Sequence, residues 1–98
     1  MMTITAIIRA KPGQEAVVEQ ALLRVARHAA VNEPGTIGYF VSRSEEHSAL
    51  FLTYERFRDR AAMALHNSSA ALDEFVAATK DALAGPIEIH TAEELSAK

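Results

Sequence analysis

The chain contains no cysteine, so disulfides, thiolate zinc sites and thiol nucleophiles are all excluded. It has no apolar run approaching the ~18 residues of a membrane span. Its first 13 residues, MMTITAIIRAKPG, lack the basic start and small-residue cleavage site of a secretory leader. These two features give the expectation of a cytoplasmic protein with no membrane partner. Basic residues are too few and too scattered to hold a phosphate backbone: 10 Lys and Arg stand against 13 Asp and Glu, a formal net charge of -3, so nucleic acid is not an expected partner. His28, His47 and His90 show no HExxH or similar ligand spacing, and no metal site is expected. GxGxxG, phosphate-loop and GxSxG motifs are absent, as are internal repeats, linkers and low-complexity segments. One domain over residues 1–98 is the expectation.

What is present is enough apolar sequence to build a core. Hydrophobic residues make up 49% and charged residues 23% of the chain, too apolar for disorder. In TITAIIRA, Ile4, Ala6 and Ile8 alternate with Thr5, Ile7 and Arg9, the period of a strand. KPGQ breaks it. From Gln14 to Val31, Val18, Ala21, Leu22, Val25 and Ala29 recur at helical spacing, and NEPG ends that helix. TIGYFVSRS and SALFLTYERF read as two strands joined by the short polar connection EEH, an antiparallel hairpin. Asp59 can cap a short helix through His66, and Ser68 or Ser69 a longer one reaching Leu83, with Leu72, Phe75, Val76, Thr79 and Leu83 as its inner stripe. AGP stops it, and IEIHTAEEL predicts a final strand.

Strand, helix, strand, strand, helix, strand is the order of an α+β, ferredoxin-like split βαβ fold with an antiparallel sheet carrying its helices on one face. The strands, however, place apolar residues on both faces, with Leu50, Leu52 and Tyr54 alternating with Phe51, Thr53 and Phe57. An uncovered face of that kind exceeds what soluble monomers usually expose. A homodimer packed sheet to sheet is therefore expected, burying at least ~1,600 Å².

His66 admits two readings. It can serve as a cation near a helix C-terminus, bonded to free carbonyls. Alternatively, if the strand face shared by Glu55 and Phe57 looks toward the helices, a carboxylate and an imidazole meet at the mouth of an apolar cavity, where the carboxylate fixes the tautomer and raises the basicity of a general base. Tyr39 can either offer its phenol to a ligand or sit as a satisfied core aromatic. Met63, Leu72 and Phe75 form an apolar stripe, either core or pocket wall. The hairpin lacks the basic, glycine-rich aromatic signature of an RNA-binding sheet.

Taken in order, KPG at Lys11 to Gly13, EPG at Glu33 to Gly35 followed by Tyr39, YERF at Tyr54 to Phe57, and Ala62 with His66 before Ser69 and Phe75 resemble the antibiotic biosynthesis monooxygenase (ABM) family of the dimeric α/β barrel superfamily. The likeness covers nearly the whole chain. It implies a ferredoxin-like subunit, dimerised through its sheet, with a small-molecule ligand cavity between sheet and helices. Some members oxygenate quinols or polycyclic phenols with O2 and no metal, flavin or heme, so no cofactor is expected. By the same resemblance, His66 matches the recurrent histidine and Glu55 the recurrent glutamate, base and orienting partner, with Tyr39, Phe51, Phe57, Met63, Leu72 and Phe75 around the ligand. The chain departs from the family in two places: Phe57 stands where many members have tryptophan, and Ala71 and Leu72 where many have HF. Heme-degrading relatives use tryptophan and asparagine in their sites, and this sequence has neither the tryptophan nor an asparagine on its first strand, so heme oxygenation is not expected. Three functions follow from the resemblance: a cofactor-independent monooxygenase of a small aromatic or quinol-like molecule, an isomerase of a small carbonyl compound, or a non-catalytic stress-response barrel that only binds its ligand.

Overall fold

Strict alternation in the first strand, β1 (Met2–Arg9), sends Met2, Ile4, Ala6 and Ile8 into the interior and leaves Thr5 and Arg9 exposed on the other side. The computed structural model describes residues 1–98. Gly13 turns the chain at a φ of 85°, a left-handed conformation that suits glycine. The helix α1 (Glu15–Asn32) follows and buries Val18, Ala21, Leu22, Val25 and Ala29 along one stripe, as its periodicity predicts. β2 (Thr36–Arg43) and β3 (Leu50–Phe57) form the expected antiparallel hairpin, closed by a turn in which the Ser44 hydroxyl accepts the backbone N–H groups of Glu46 and His47. On β3, Phe51, Thr53, Glu55 and Phe57 point inward, while Leu52 and Tyr54 point out.

Two capped helices come next. The Asp59 carboxylate accepts the N–H of Ala62 at 2.8 Å and starts α2 (Arg60–Asn67). The Ser69 hydroxyl accepts the N–H of Leu72 and starts α3 (Ala70–Thr79). Such caps are each worth ~1 kcal/mol. The second helix stops at Thr79, short of Leu83. The backbone beyond it is drawn to the end of β1 instead: Lys11 N–H donates to the Ala82 carbonyl, and Ala84 N–H to that of Arg9. Val76 is 61% exposed, so the expected inner stripe reduces to Leu72, Phe75 and Thr79, with Leu83 half-buried outside the helix.

The last strand, β4 (Glu88–Glu93), completes a sheet in the order β2-β3-β1-β4, antiparallel throughout. All three helices lie on one face. The core between sheet and helices joins Ile8, Val18, Leu22, Val25, Phe51 and Phe75, and a smaller cluster at the other end gathers Met2, Ile4, Phe57 and Ala62. Fully burying each large side chain of this kind stabilises the fold by roughly 1.5–3 kcal/mol. The opposite sheet face carries Phe40, Leu52 and Tyr54, all exposed, with the Phe40 and Tyr54 rings stacked at 6.4 Å. No helix is long and apolar enough to cross a membrane.

Candidate functional site

The inward face of β3 is polar at its centre. Thr53 and Glu55 are both buried there, and the Thr53 hydroxyl donates to Glu55 Oε2 at 2.7 Å. α2 brings its last turn over this point, so that His66, only 2% exposed, sets Nε2 3.4 Å from Glu55 Oε1. That separation is long for a hydrogen bond and leaves the Nε2 lone pair available. Tyr39 and Phe57 flank the imidazole, with ring centroids 5.5 and 5.3 Å away.

The shortest partner of His66 is a residue that sequence reasoning passed over as a helix stop. Glu33, which follows α1, places Oε1 2.8 Å from His66 Nδ1. A carboxylate only accepts, so the ring donates Nδ1–H and exposes Nε2 as a base. The Thr36 hydroxyl donates to the same Oε1 at 2.7 Å, and His28 Nε2 lies 3.3 Å from Oε2. Gly35 makes the approach possible: a Cβ there would stand 2.6 Å from Cβ of Ala62 on α2. One signal was available, since a carboxylate at a helix C-terminus faces the negative end of the dipole and calls for compensation. Thr53 offered another, a polar residue two positions from Glu55 on an otherwise apolar face.

A cavity of about 80 Å³ opens beside His66. Glu55, Tyr39, Leu72 and Phe75, expected around a ligand, line it with His66. Ile4, Ala6, Ile8, Ile87, Ile89, Thr53 and Asn67 also line it and were not anticipated as pocket residues. Phe51, Phe57 and Met63 do not line it. Phe51 is consumed by the main core, where the Arg43 guanidinium sits 5.7 Å from its ring, and Phe57 backs the imidazole. Met63 packs on the smaller cluster. Orienting His66 at Nδ1 belongs to Glu33, while Glu55 faces Nε2 from the cavity side.

Burial raises the Glu55 carboxyl above the usual range, partly offset by the Thr53 hydrogen bond and the nearby His66, with Glu33 adding to the rise. Tyr39 is raised strongly, by burial first and then by Glu55 and Glu33, and so stays a neutral phenol able to donate. His28, Glu33, His66 and Glu55 run as a chain, and no three such side chains converge as a metal cage.

Comparison with known proteins places this chain in a family. YcnE of Bacillus subtilis strain 168, provisionally named a monooxygenase, is 27% identical over 89 residues, 91% of this chain and 93% of that protein. The uncharacterized protein sll1783 of Synechocystis is 40% identical over 58 residues, 59% of this chain but only 40% of that protein's length. A structure from Nitrosomonas europaea, provisionally named an antibiotic biosynthesis monooxygenase, superposes with a TM-score of 0.91 at 19% identity, covering 98% of this chain and 100% of its own. That likeness shows the ferredoxin-like fold. The sequence model of antibiotic biosynthesis monooxygenases matches residues 1–78, and the chain belongs to that family.

Proposed function

We propose that the protein is a cofactor-independent monooxygenase of a small aromatic, quinol-like molecule, with His66 as general base. The observation that carries this reading is the buried imidazole held at Nδ1 by Glu33, 2.8 Å away, with Nε2 turned to an apolar cavity. A carboxylate-oriented imidazole is a base whose charged form is stabilised as it forms. His66 takes a quinol O–H proton at Nε2, and the electron-rich anion then gives an electron to O2. Recombination at a ring carbon and loss of water turn a quinol and O2 into a hydroxyquinone and one water: one oxygen enters the C–H bond, the other leaves with two substrate hydrogens. Tyr39 donates to a ligand oxygen, and Leu72, Phe75 and the isoleucines exclude water from the anion. A cavity of about 80 Å³ admits the edge of one ring, the remainder lying over the mouth near Asn67 and Ile89.

Oxygen uptake with a reduced quinol tests the proposal, with hydroxyquinone as the product and His66→Gln as the inactive control. Equal turnover by a folded His66→Gln variant removes His66 from the mechanism. A second reading, isomerisation of a small carbonyl compound, draws on the raised Glu55 carboxyl beside His66, an acid and a base facing one cavity. Product formation under strict anaerobiosis selects it, since only oxygenation needs O2. Ligand returned unaltered after aerobic incubation selects the binding-only role.

The unit of function in this reading is a homodimer in the cytoplasm. The exposed Phe40, Leu52 and Tyr54 on the helix-free face of the sheet support sheet-to-sheet pairing. Light scattering at micromolar concentration is expected to give twice the chain mass, and a monomer there overturns the pairing.

A further inference from the structure

We infer that His28 is the outer station of a proton path joining His66 to bulk water through Glu33. This rests on His66 acting as the base, as proposed above. A base that is buried in a closed site must exchange its proton with water without flooding the cavity. On the cavity side the bound ligand itself lies over the mouth. The walls are mostly aliphatic and aromatic, Glu55 Oε2 is occupied by the buried Thr53 hydroxyl, and the Tyr39 phenol does not ionise readily.

The opposite side of the ring is built differently. Side-chain exposure rises from 2% at His66 to 11% at Glu33 and 33% at His28. Glu33 Oε2 is buried and has no aligned hydrogen-bond donor, yet His28 Nε2 lies 3.3 Å from it. The other nitrogen of His28, Nδ1, is 3.3 Å from the Asn32 side-chain amide nitrogen. All of this opens into a surface groove of about 270 Å³, whose lining includes His28, Asn32, Glu33, Thr36, Arg58 and Ser69. The charged and titratable groups bearing on Glu33 are therefore His28 from α1, His66 from α2, Arg58 from the turn before α2, and Glu55 and Tyr39 from the sheet.

The proton count closes. A ligand O–H proton passes to His66 Nε2, and the Nδ1–H of His66 passes to Glu33 Oε1. Nδ1 of His28 faces the Asn32 NH2, a donor, so the resting ring accepts there and carries its proton on Nε2. Exchange with water first moves that proton to Nδ1, turned away from Asn32. Rotation of the Glu33 carboxyl about Cγ–Cδ then presents its proton to His28 Nε2 while Nδ1–H goes to water. When His66 later returns Nε2–H to the reacting oxygen, the same path runs inward and restores Nδ1–H. His28 is a positioning and relay residue; it touches no ligand.

The test uses the full protein without oxygen, a nitrophenol at a pH below its ionisation in water, and a pH-indicator dye in stopped flow. Wild type is expected to bind the phenol as its coloured phenolate and to release one proton to the medium. His28→Gln, confirmed as folded by circular dichroism, is expected to form the phenolate but to release the proton at least about tenfold more slowly, within the 10²–10⁴-fold range of acid–base steps. Free imidazole is expected to restore the rate in proportion to its concentration, which a purely structural role of His28 would not produce. Equal release in wild type and His28→Gln, or phenolate in wild type without any proton release, overturns the relay and leaves the base intact. No phenolate in wild type, or phenolate undiminished in His66→Gln, overturns His66 as base and the relay with it.

Discussion

Replacing Glu33 by glutamine isolates the contact that defines the proposed base. The amide keeps the volume and the Thr36 contact but carries no charge, and it can present its NH2 to His66 Nδ1. The ring proton then moves to Nε2, pointing at the cavity, and the base is lost. The electrostatic share follows from the 2.8 Å separation between Glu33 Oε1 and His66 Nδ1. Unit charges centred about 4 Å apart attract by about 4 kcal/mol at an effective dielectric constant near 20. At 1.36 kcal/mol per tenfold, that corresponds to a loss of about 10³ in the rate of proton abstraction. Glu33 does not line the apolar cavity, so KM is expected to stay within about threefold while kcat falls. Initial rates of oxygen uptake measure both, and a double substitution with His66→Gln completes the cycle. Because the two side chains act as one unit, the double variant is expected to be no slower than His66→Gln alone. A Glu33→Gln enzyme within about threefold of wild type, or additive losses in the cycle, refutes the assignment.

Three further outcomes follow from the same contacts. Gly35→Ala forces its Cβ to within 2.6 Å of Ala62 Cβ, so it is expected to cost about 1–3 kcal/mol by overpacking, read as a lower urea midpoint with an unchanged slope. Hydrogen bonds from the Arg56 guanidinium hold the Glu94 carboxyl down to about 2, with the Tyr54 hydroxyl adding to the effect. A carboxyl depressed in the folded state stabilises it above the unfolded value and loses that stability as pH falls toward 2, so Arg56→Ala should flatten the melting temperature between about pH 4.5 and pH 2. Glu55 is raised, so its sign is reversed: stability is fullest below the unfolded pKa and declines as pH rises through the folded one. Glu55→Gln should therefore melt higher than wild type at pH 8, and an equal or lower melting temperature there contradicts the burial cost.

Much of the fold was legible because it depends on local periodicity and local caps. Alternation in TITAIIRA and ALFLTYERF fixes which side chains face the helices, and Asp59 and Ser69 start α2 and α3 where their side chains can accept a backbone N–H. The end of α3 was not legible, because the backbone after Thr79 is recruited by hydrogen bonds with residues 9 and 11, more than seventy positions away in sequence. The lining of the cavity beside His66 differs from the expected ligand wall for a related reason. Phe51, Phe57 and Leu72 are indistinguishable as inward apolar residues until α1 and α3 close over the sheet and decide which of them meet packing and which meet space.

The candidate site divides along the same line. Glu55 and His66 could be paired from strand alternation and a helix end, but Glu33 could not, since its place depends on how the end of α1 docks against α2. That docking is itself written in EPG. Proline keeps Glu33 out of the helix, and the missing side chain of Gly35 lets the loop close on Ala62, so the carboxylate reaches His66 rather than solvent. A turn motif that reads as mere punctuation thus supplies the hydrogen-bond partner of His66 Nδ1 on another helix. Its glutamate sits where a helix dipole repels it, and it is held there by Thr36, His28 and His66 together. An acid stationed against the dipole and surrounded by donors is therefore a better sequence clue to this site than the aromatic stripe, because packing alone gives no reason for it to be there.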